Sequence, residues 1–183
     1  MPESDEQLML AYAGGNAAAF EALYSRHKGP LFRFVLRSVK GRGEAEELYQ
    51  DIWMRVVEAA GRYAPQARFT TWLYTIAHHR LVDHWRAKGL AVVSLDDEET
   101  GAPEPEAAPS AEPHRIVEAQ QTAGRLAAAL AALPLAQREA FLLHYEGDLT
   151  AAEIAAATGT NAEAAKSRLR YAINKLREAV GDD

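Results

Sequence analysis

Between residues 166 and 177 the chain carries Lys166, Arg168, Arg170, Lys175 and Arg177 with no acid among them. Ser167, Tyr171 and Asn174 are interspersed. This mixture suits one chemistry: cations neutralise phosphates, and polar side-chain tips hydrogen-bond base edges. Placed at about 100° per residue, Ala165, Leu169, Ala172, Ile173, Leu176 and Val180 form an apolar stripe. Glu163, Ser167, Arg170, Tyr171 and Asn174 lie opposite, with Lys166 on the flank. Thr150 stands three residues before Glu153 and Thr160 three before Glu163, the spacing of a capping box, and Gly159 falls between the two pairs. The spacing predicts a short helix from about 150 to 157 and a longer one from about 161, a helix-turn-helix. In that motif the second helix enters the major groove N-terminal end first, which directs Lys166, Ser167, Arg170 and Tyr171 at base edges and adjacent phosphates. Arg168 borders the apolar stripe, where an internal ion pair competes with a DNA contact. The competing reading is a basic amphipathic helix whose charges are simply solvated.

A second set of residues lies upstream, where Tyr63, Phe69, Trp72, Tyr74 and Trp85 interleave with Arg62, Arg68, Arg80, Arg86 and Lys88. Aromatic faces stack on unpaired bases while cations follow the backbone, at about 1 to 3 kcal/mol per stacked base. The alternative is that these rings are core, the usual place for large aromatics. His78, His79, Asp83 and His84 could be imagined as a metal site, but no third ligand follows at matching spacing. With no cysteine in the chain, thiolate nucleophiles, disulfides and Cys-ligated zinc are excluded. Phosphate-binding glycine loops, nucleophile elbows and zincin motifs are absent too. The expectation is a protein without catalytic residues, metal or cofactor.

The elements that must hold these residues are helical throughout, since apolar residues recur three and four apart and no period-two alternation is sustained. "NAAAFEALYSRH" and "PLFRFVLRSV" read as helical segments with Pro30 in a first turn or at a kink. The net charge of -6 argues against nucleic acid only on average. Residues 88 to 113 hold seven acids and one base, so the remaining chain is balanced, with 19 of each sign. The same segment contains "GAPEPEAAPSAEP", with four prolines in thirteen residues and no large hydrophobe, the composition of a flexible linker. The expected architecture is all-α: a helical domain over 1–88, an acidic Pro/Ala-rich linker over 89–115, and a second domain over 116–183 ending in the helix-turn-helix. "MPESDEQLML" is unlike a signal peptide and no apolar run would span a bilayer, so a cytoplasmic protein without membrane insertion is expected.

"AEELYQDIWMRV" followed by "FTTWLYTIAHHRLVDHWR" resembles region two of the bacterial extracytoplasmic-function sigma factors of the sigma-70 family. "LTAAEIAAATGTNAEAAKSRLRYAINKLR" resembles their region four, so the likeness covers nearly the whole chain. It implies a promoter-specificity subunit that binds core RNA polymerase, reads the minus-thirty-five element with region four and opens the minus-ten element with region two. An anti-sigma partner is implied as well. For the minus-thirty-five contact it implies Lys166, Ser167, Arg170 and Tyr171, with Arg168 beside them. For the minus-ten contact it implies Arg62, Tyr63, Arg68, Phe69, Trp72, His79 and Arg86, the loop of residues 61 to 69 and the following helix holding a flipped base. His79 departs from the family, which commonly has Asn there, and lacks the paired amide geometry suited to a base edge. The helix of residues 43 to 60 would grip the polymerase clamp. Its inward stripe is Ala45, Leu48, Ile52, Val56 and Ala59, leaving Trp53 and Val57 to one side near Gln50 and Glu46, with Asp51 among the expected contacts. An off-stripe Trp suggests a partner anchor, and the alternative is a helix with a broad buried face. The rival class is a stand-alone helix-turn-helix regulator that binds a palindrome as a dimer. A further expectation is that the acidic linker competes with DNA for the basic faces.

Overall fold

Short polar residues set the helix starts. Ser4 accepts a hydrogen bond from the Gln7 N–H while the Gln7 side chain accepts one from the Ser4 N–H, and this closed box begins α1 (Asp5–Ala13). Asn16 caps α2 (Ala17–Ser38) through its Oδ1. The computed structural model describes residues 1–90 and 115–181, and its remaining elements are α3 (Arg42–Ala59), a 3-10 turn (Ala60–Arg62), α4 (Phe69–Ala87), α5 (Arg115–Ala132), α6 (Leu135–Tyr145), α7 (Ala151–Thr158) and α8 (Ala162–Val180). Among the described residues the architecture is all-α with no strand. The acidic stretch from which the linker and its competition with DNA were inferred lies largely at 91–114, outside the described residues.

The two segments divided by Pro30 form a single helix, α2, with the proline inside it. An interior proline costs about 3 kcal/mol. Leu23 on one side and Leu31, Phe34 and Val35 on the other are all fully buried, and that apolar area offsets the loss.

Helices α1 to α4 make the first lobe around Met9, Leu48, Ile52, Leu73 and Leu81, and α5 to α8 make the second around Leu142, Leu143, Ile154, Ala172 and Leu176. The lobes touch: α7 packs on α4, and α6 and α5 pack on α2. No helix among the described residues is long and apolar enough to cross a membrane.

Candidate nucleic-acid interface

The helix-turn-helix is built by its caps. The Thr150 hydroxyl accepts from the Glu153 N–H at 3.3 Å and Glu153 Oε2 accepts from the Thr150 N–H at 2.8 Å, starting α7. Gly159 stops it in the left-handed region, with φ 70°. The second cap differs from the Thr160 expectation. Asn161 caps α8, its Oδ1 accepting from the Ala164 N–H at 2.8 Å. The start moves one residue because Asn is at least as good a cap as Thr, and the Thr160 N–H is already used by the Ala155 carbonyl.

On α8 the buried face is narrower than the stripe: Ala165, Ala172 and Leu176 are buried, and Leu169, Ile173 and Val180 are half-buried. Lys166, Arg170 and Tyr171 are exposed, with the Arg170 guanidinium 5.5 Å from the centre of the Tyr171 ring. Ser167 is half-buried on the same helix. The contact between Lys166 and Glu163, at 3.4 Å, is solvent-exposed and leaves the ammonium available. Arg168 is half-buried, and its Nε is enclosed without a hydrogen-bond partner. The internal ion pair weighed for it does not form among the described residues. It lines a cleft of about 210 Å³ between the lobes together with His78, Arg86 and Glu139.

The first lobe sorts the expected minus-ten residues into two groups. Arg62, Arg68, His79 and Arg86 are exposed and Trp72 is half-buried, all at the surface as a DNA contact requires. Tyr63 and Phe69 are not, which corrects their assignment as base-stacking residues. Phe69 is fully buried as the first residue of α4, its N–H donating to Glu6 Oε1 at 2.7 Å, and Tyr63 is 8 % exposed. Both rings wall Trp72, with centroids at 5.0 Å for Tyr63 and 5.8 Å for Phe69. Burial pushes the Tyr63 hydroxyl pKa up, with Glu6 and Asp5 adding to it. Tyr74 and Trp85 are core as well, and the Trp85 Nε1–H donates to the Ser38 carbonyl at 3.3 Å. Arg68 points into the second lobe, bonding Glu153 at 3.3 Å and the Asp148 carbonyl at 3.3 Å.

On α3 the structure corrects the reading of Trp53 as an exposed anchor. Its side is covered by Phe20 and Tyr24 of α2 and by Tyr49, at centroid distances of 5.8, 5.1 and 6.3 Å, leaving 7 % exposed. A wheel drawn on α3 alone misses this, because α2 and α4 both pack on the helix and widen its buried face. Burial pushes the neighbouring Tyr49 pKa up to about 12. Asp51 is held by Arg80, which bonds it through Nε at 3.0 Å and Nη2 at 2.9 Å. Glu46 is exposed beside Arg42 at 3.1 Å. Gln50 and Val57 are exposed, and Met54, which sequence reasoning missed, joins them with 58 % exposure. The three sit at i, i+4 and i+7 on one face, a signal the sequence did contain.

Three of the four imagined metal ligands are engaged elsewhere, His84 facing Glu44 at 3.5 Å, Asp83 facing Arg55 at 3.4 Å and His78 Nδ1 meeting Glu139 at 2.5 Å, while His79 is exposed. Among the described residues no cluster is arranged to hold a metal ion.

Comparison with known proteins places both lobes. The family model described as sigma-70 region 2 matches residues 23–90, and that of sigma-70 region 4 matches residues 123–176. The chain is 35% identical over 167 residues to the ECF RNA polymerase sigma factor RpoE of Cereibacter sphaeroides, covering 88% of this chain and 86% of that protein. Two solved structures share the fold at 22% identity. One is CnrH in complex with the cytosolic domain of CnrY, with a TM-score of 0.70 over 99% of each chain. The other is the sigma factor RpoE in complex with the anti-sigma factor NepR from Bartonella quintana, with a TM-score of 0.67 over 90% of this chain and 98% of that one.

Proposed function

The chain belongs to the ECF sigma factors of the sigma-70 family, and from that premise we propose how its lobes divide the work. As a sigma factor it is a regulatory subunit that directs core RNA polymerase to promoters. Residues 1–88 dock on the polymerase and open the minus-ten element, residues 116–183 read the minus-thirty-five element, and residues 89–115 tether the two.

The observation that supports the assignment best is the exposure of Lys166, Arg170 and Tyr171 together on a capped second helix whose opposite face is core. Arg170 is suited to a bidentate contact with a base edge and Lys166 to a phosphate. Arg168, half-buried, contributes packing and a second-rank phosphate contact. In the first lobe a base pulled from the stack needs a platform, because unstacking costs a few kcal/mol. Trp72 supplies it, held by Tyr63 and Phe69 behind it, while Arg62, Arg68 and Arg86 track the backbone and His79 faces the base edge. The polymerase grips the outer face of α3 through Gln50, Met54 and Val57, with Glu46 at the rim.

The chemistry of RNA synthesis belongs to the polymerase; this chain binds, orients and opens DNA and is not itself an enzyme. It works in the cytoplasm, where polymerase and promoters are. Both structural neighbours are complexes, one with the cytosolic domain of CnrY and one with the anti-sigma factor NepR, and we assign this chain a partner of the same kind. The test is co-elution with purified core polymerase followed by footprinting. Protection of two elements by the complex and of neither by the chain alone supports the proposal. A palindrome protected by the chain alone, with no polymerase binding, overturns it in favour of a dimeric regulator.

A further inference from the structure

The turn that presents Trp72 is poorly held by its own residues. α4 begins at Phe69 with Arg68 as its N-cap, a side chain that carries only donors, and no side-chain cap bond forms there. The hydroxyls of Tyr63, Thr70 and Thr71 are enclosed without hydrogen-bond partners, so none of them ties the loop down. The missing cap comes from α1, more than sixty residues upstream: half-buried Glu6 accepts from the Phe69 N–H through Oε1 at 2.7 Å. A carboxylate at a helix N-terminus is favoured by the helix dipole as well. Its neighbour Asp5 fastens the same turn of α1 to α2, accepting from Arg26 Nη1 at 2.8 Å and meeting His27 Nε2 at 2.8 Å. The His27 ring in turn lies 5.2 Å from that of Phe69. Burial raises the Tyr63 hydroxyl pKa first, and the charges of Glu6 and Asp5 add to it, so the two carboxylates stand beside both aromatic walls of Trp72.

A negative charge beside a surface that receives phosphates is unfavourable for binding them. Capping α4 gives Glu6 a reason to be there. We propose that Glu6 is a positioning residue for promoter opening: its bond to Phe69 fixes the first turn of α4, and with it the Tyr63–Phe69–Trp72 cluster, in the geometry that receives an extruded base. This rests on the sigma-factor reading and adds to it a residue outside the stretch matched to region 2, which begins at residue 23. The bond acts before any base arrives. A platform already in place does not have to be ordered at the moment the base leaves the stack, and that ordering cost is removed from the opening step.

Glu6→Ala removes the acceptor, whereas Glu6→Gln keeps an acceptor and removes the charge. In the free chain, hydrogen exchange read by mass spectrometry should show the amides of residues 61 to 72 exchanging about ten-fold faster in Glu6→Ala, equivalent to about 1.4 kcal/mol, with those of α8 unchanged. The second arm uses holoenzyme assembled with core polymerase, on a promoter recovered by run-off transcription and dye-labelled in its minus-ten element. The opening rate is followed against holoenzyme concentration. Glu6→Ala should lower the plateau rate about ten-fold and leave the half-saturating concentration within about two-fold, because polymerase docking and minus-thirty-five reading do not use Glu6. Glu6→Gln should stay within about three-fold of wild type in both quantities, a neutral acceptor being weaker than a charged one. Circular dichroism checks folding, and if Glu6→Ala does not fold, Glu6→Asp, whose carboxylate ends one carbon shorter, takes its place. Unchanged exchange over residues 61 to 72, an unchanged plateau, or Glu6→Gln falling as far as Glu6→Ala overturns the proposal. Wild-type holoenzyme that opens no promoter would instead overturn the functional reading, while the exchange still reports whether Glu6 holds the turn.

Discussion

Replacing Trp53 separates a core residue from a partner anchor. The ring is 7 % exposed and caged by Phe20, Tyr24 and Tyr49. Truncation of a buried Trp to Ala costs about 3 to 5 kcal/mol, and aromatic pairs of this kind contribute about 0.5 to 1.5 kcal/mol each beyond burial, so the upper half of that range is expected. The indole Nε1–H is enclosed without a partner, a defect of about 1 to 3 kcal/mol in its own right. Trp53→Phe removes that defect while keeping most of the ring, and should cost under about 2 kcal/mol. In urea, with a slope of about 1.5 kcal/mol per molar, Trp53→Ala should lower the midpoint by about 3 M and Trp53→Phe by about 1 M or less. Tryptophan fluorescence reads this lobe selectively, because the chain's three tryptophans, Trp53, Trp72 and Trp85, all lie in it. A wild-type midpoint for Trp53→Ala, coupled to lost polymerase affinity, would refute the packing argument and restore Trp53 to the surface.

Lys166→Ala should weaken duplex binding evenly across sequences and lower the slope of log affinity against log salt by about one, whereas Arg170→Ala should cost about 1 to 3 kcal/mol and relax the preference at one base pair; fluorescence anisotropy on a set of duplexes reads both. Thr150→Ala should cost the helix-turn-helix about 1 kcal/mol in thermal or urea melts, since it removes the cap of α7. Stability should also depend on Glu153. Burial pulls its pKa up but is outweighed by the hydrogen bond from the Thr150 N–H, by the adjacent Thr150 side chain and by Arg68, so it lies below the ordinary 4.5. A depressed carboxylate pKa stabilises the fold above the ordinary value, and the contribution is lost as pH falls through the depressed one. Urea melts between pH 6 and about pH 3 should therefore show a decline below about pH 4.5 that Glu153→Gln reduces.

How much the sequence disclosed depended on range. The helix-turn-helix was legible because its determinants are local: the Thr150 box, the Gly159 stop and the period of Ala165, Ala172 and Leu176 lie within a few residues of what they control. Asn161 displaced Thr160 as cap by a single position, a choice between two competent residues that composition does not decide. Tyr63 and Phe69 were misassigned because their burial is set by distant residues, Phe69 donating to Glu6 more than sixty residues upstream. Trp53 was misassigned for a like reason, its cover arriving from α2. The seam between the lobes was illegible. Nothing in the sequence marks Glu139, Glu146 or Asp148, and Glu153 shows only its capping-box spacing, until the fold sets them against His78, Arg33, Arg37 and Arg68.

The most direct measurement is run-off transcription with purified core polymerase on a library of genomic promoters, with and without this chain. Transcripts with defined starts should form only when the chain is present, and should fall sharply with Arg170→Ala and with Trp72→Ala while both variants remain folded. Equal transcription with and without the chain would contradict its role as a promoter-specificity subunit.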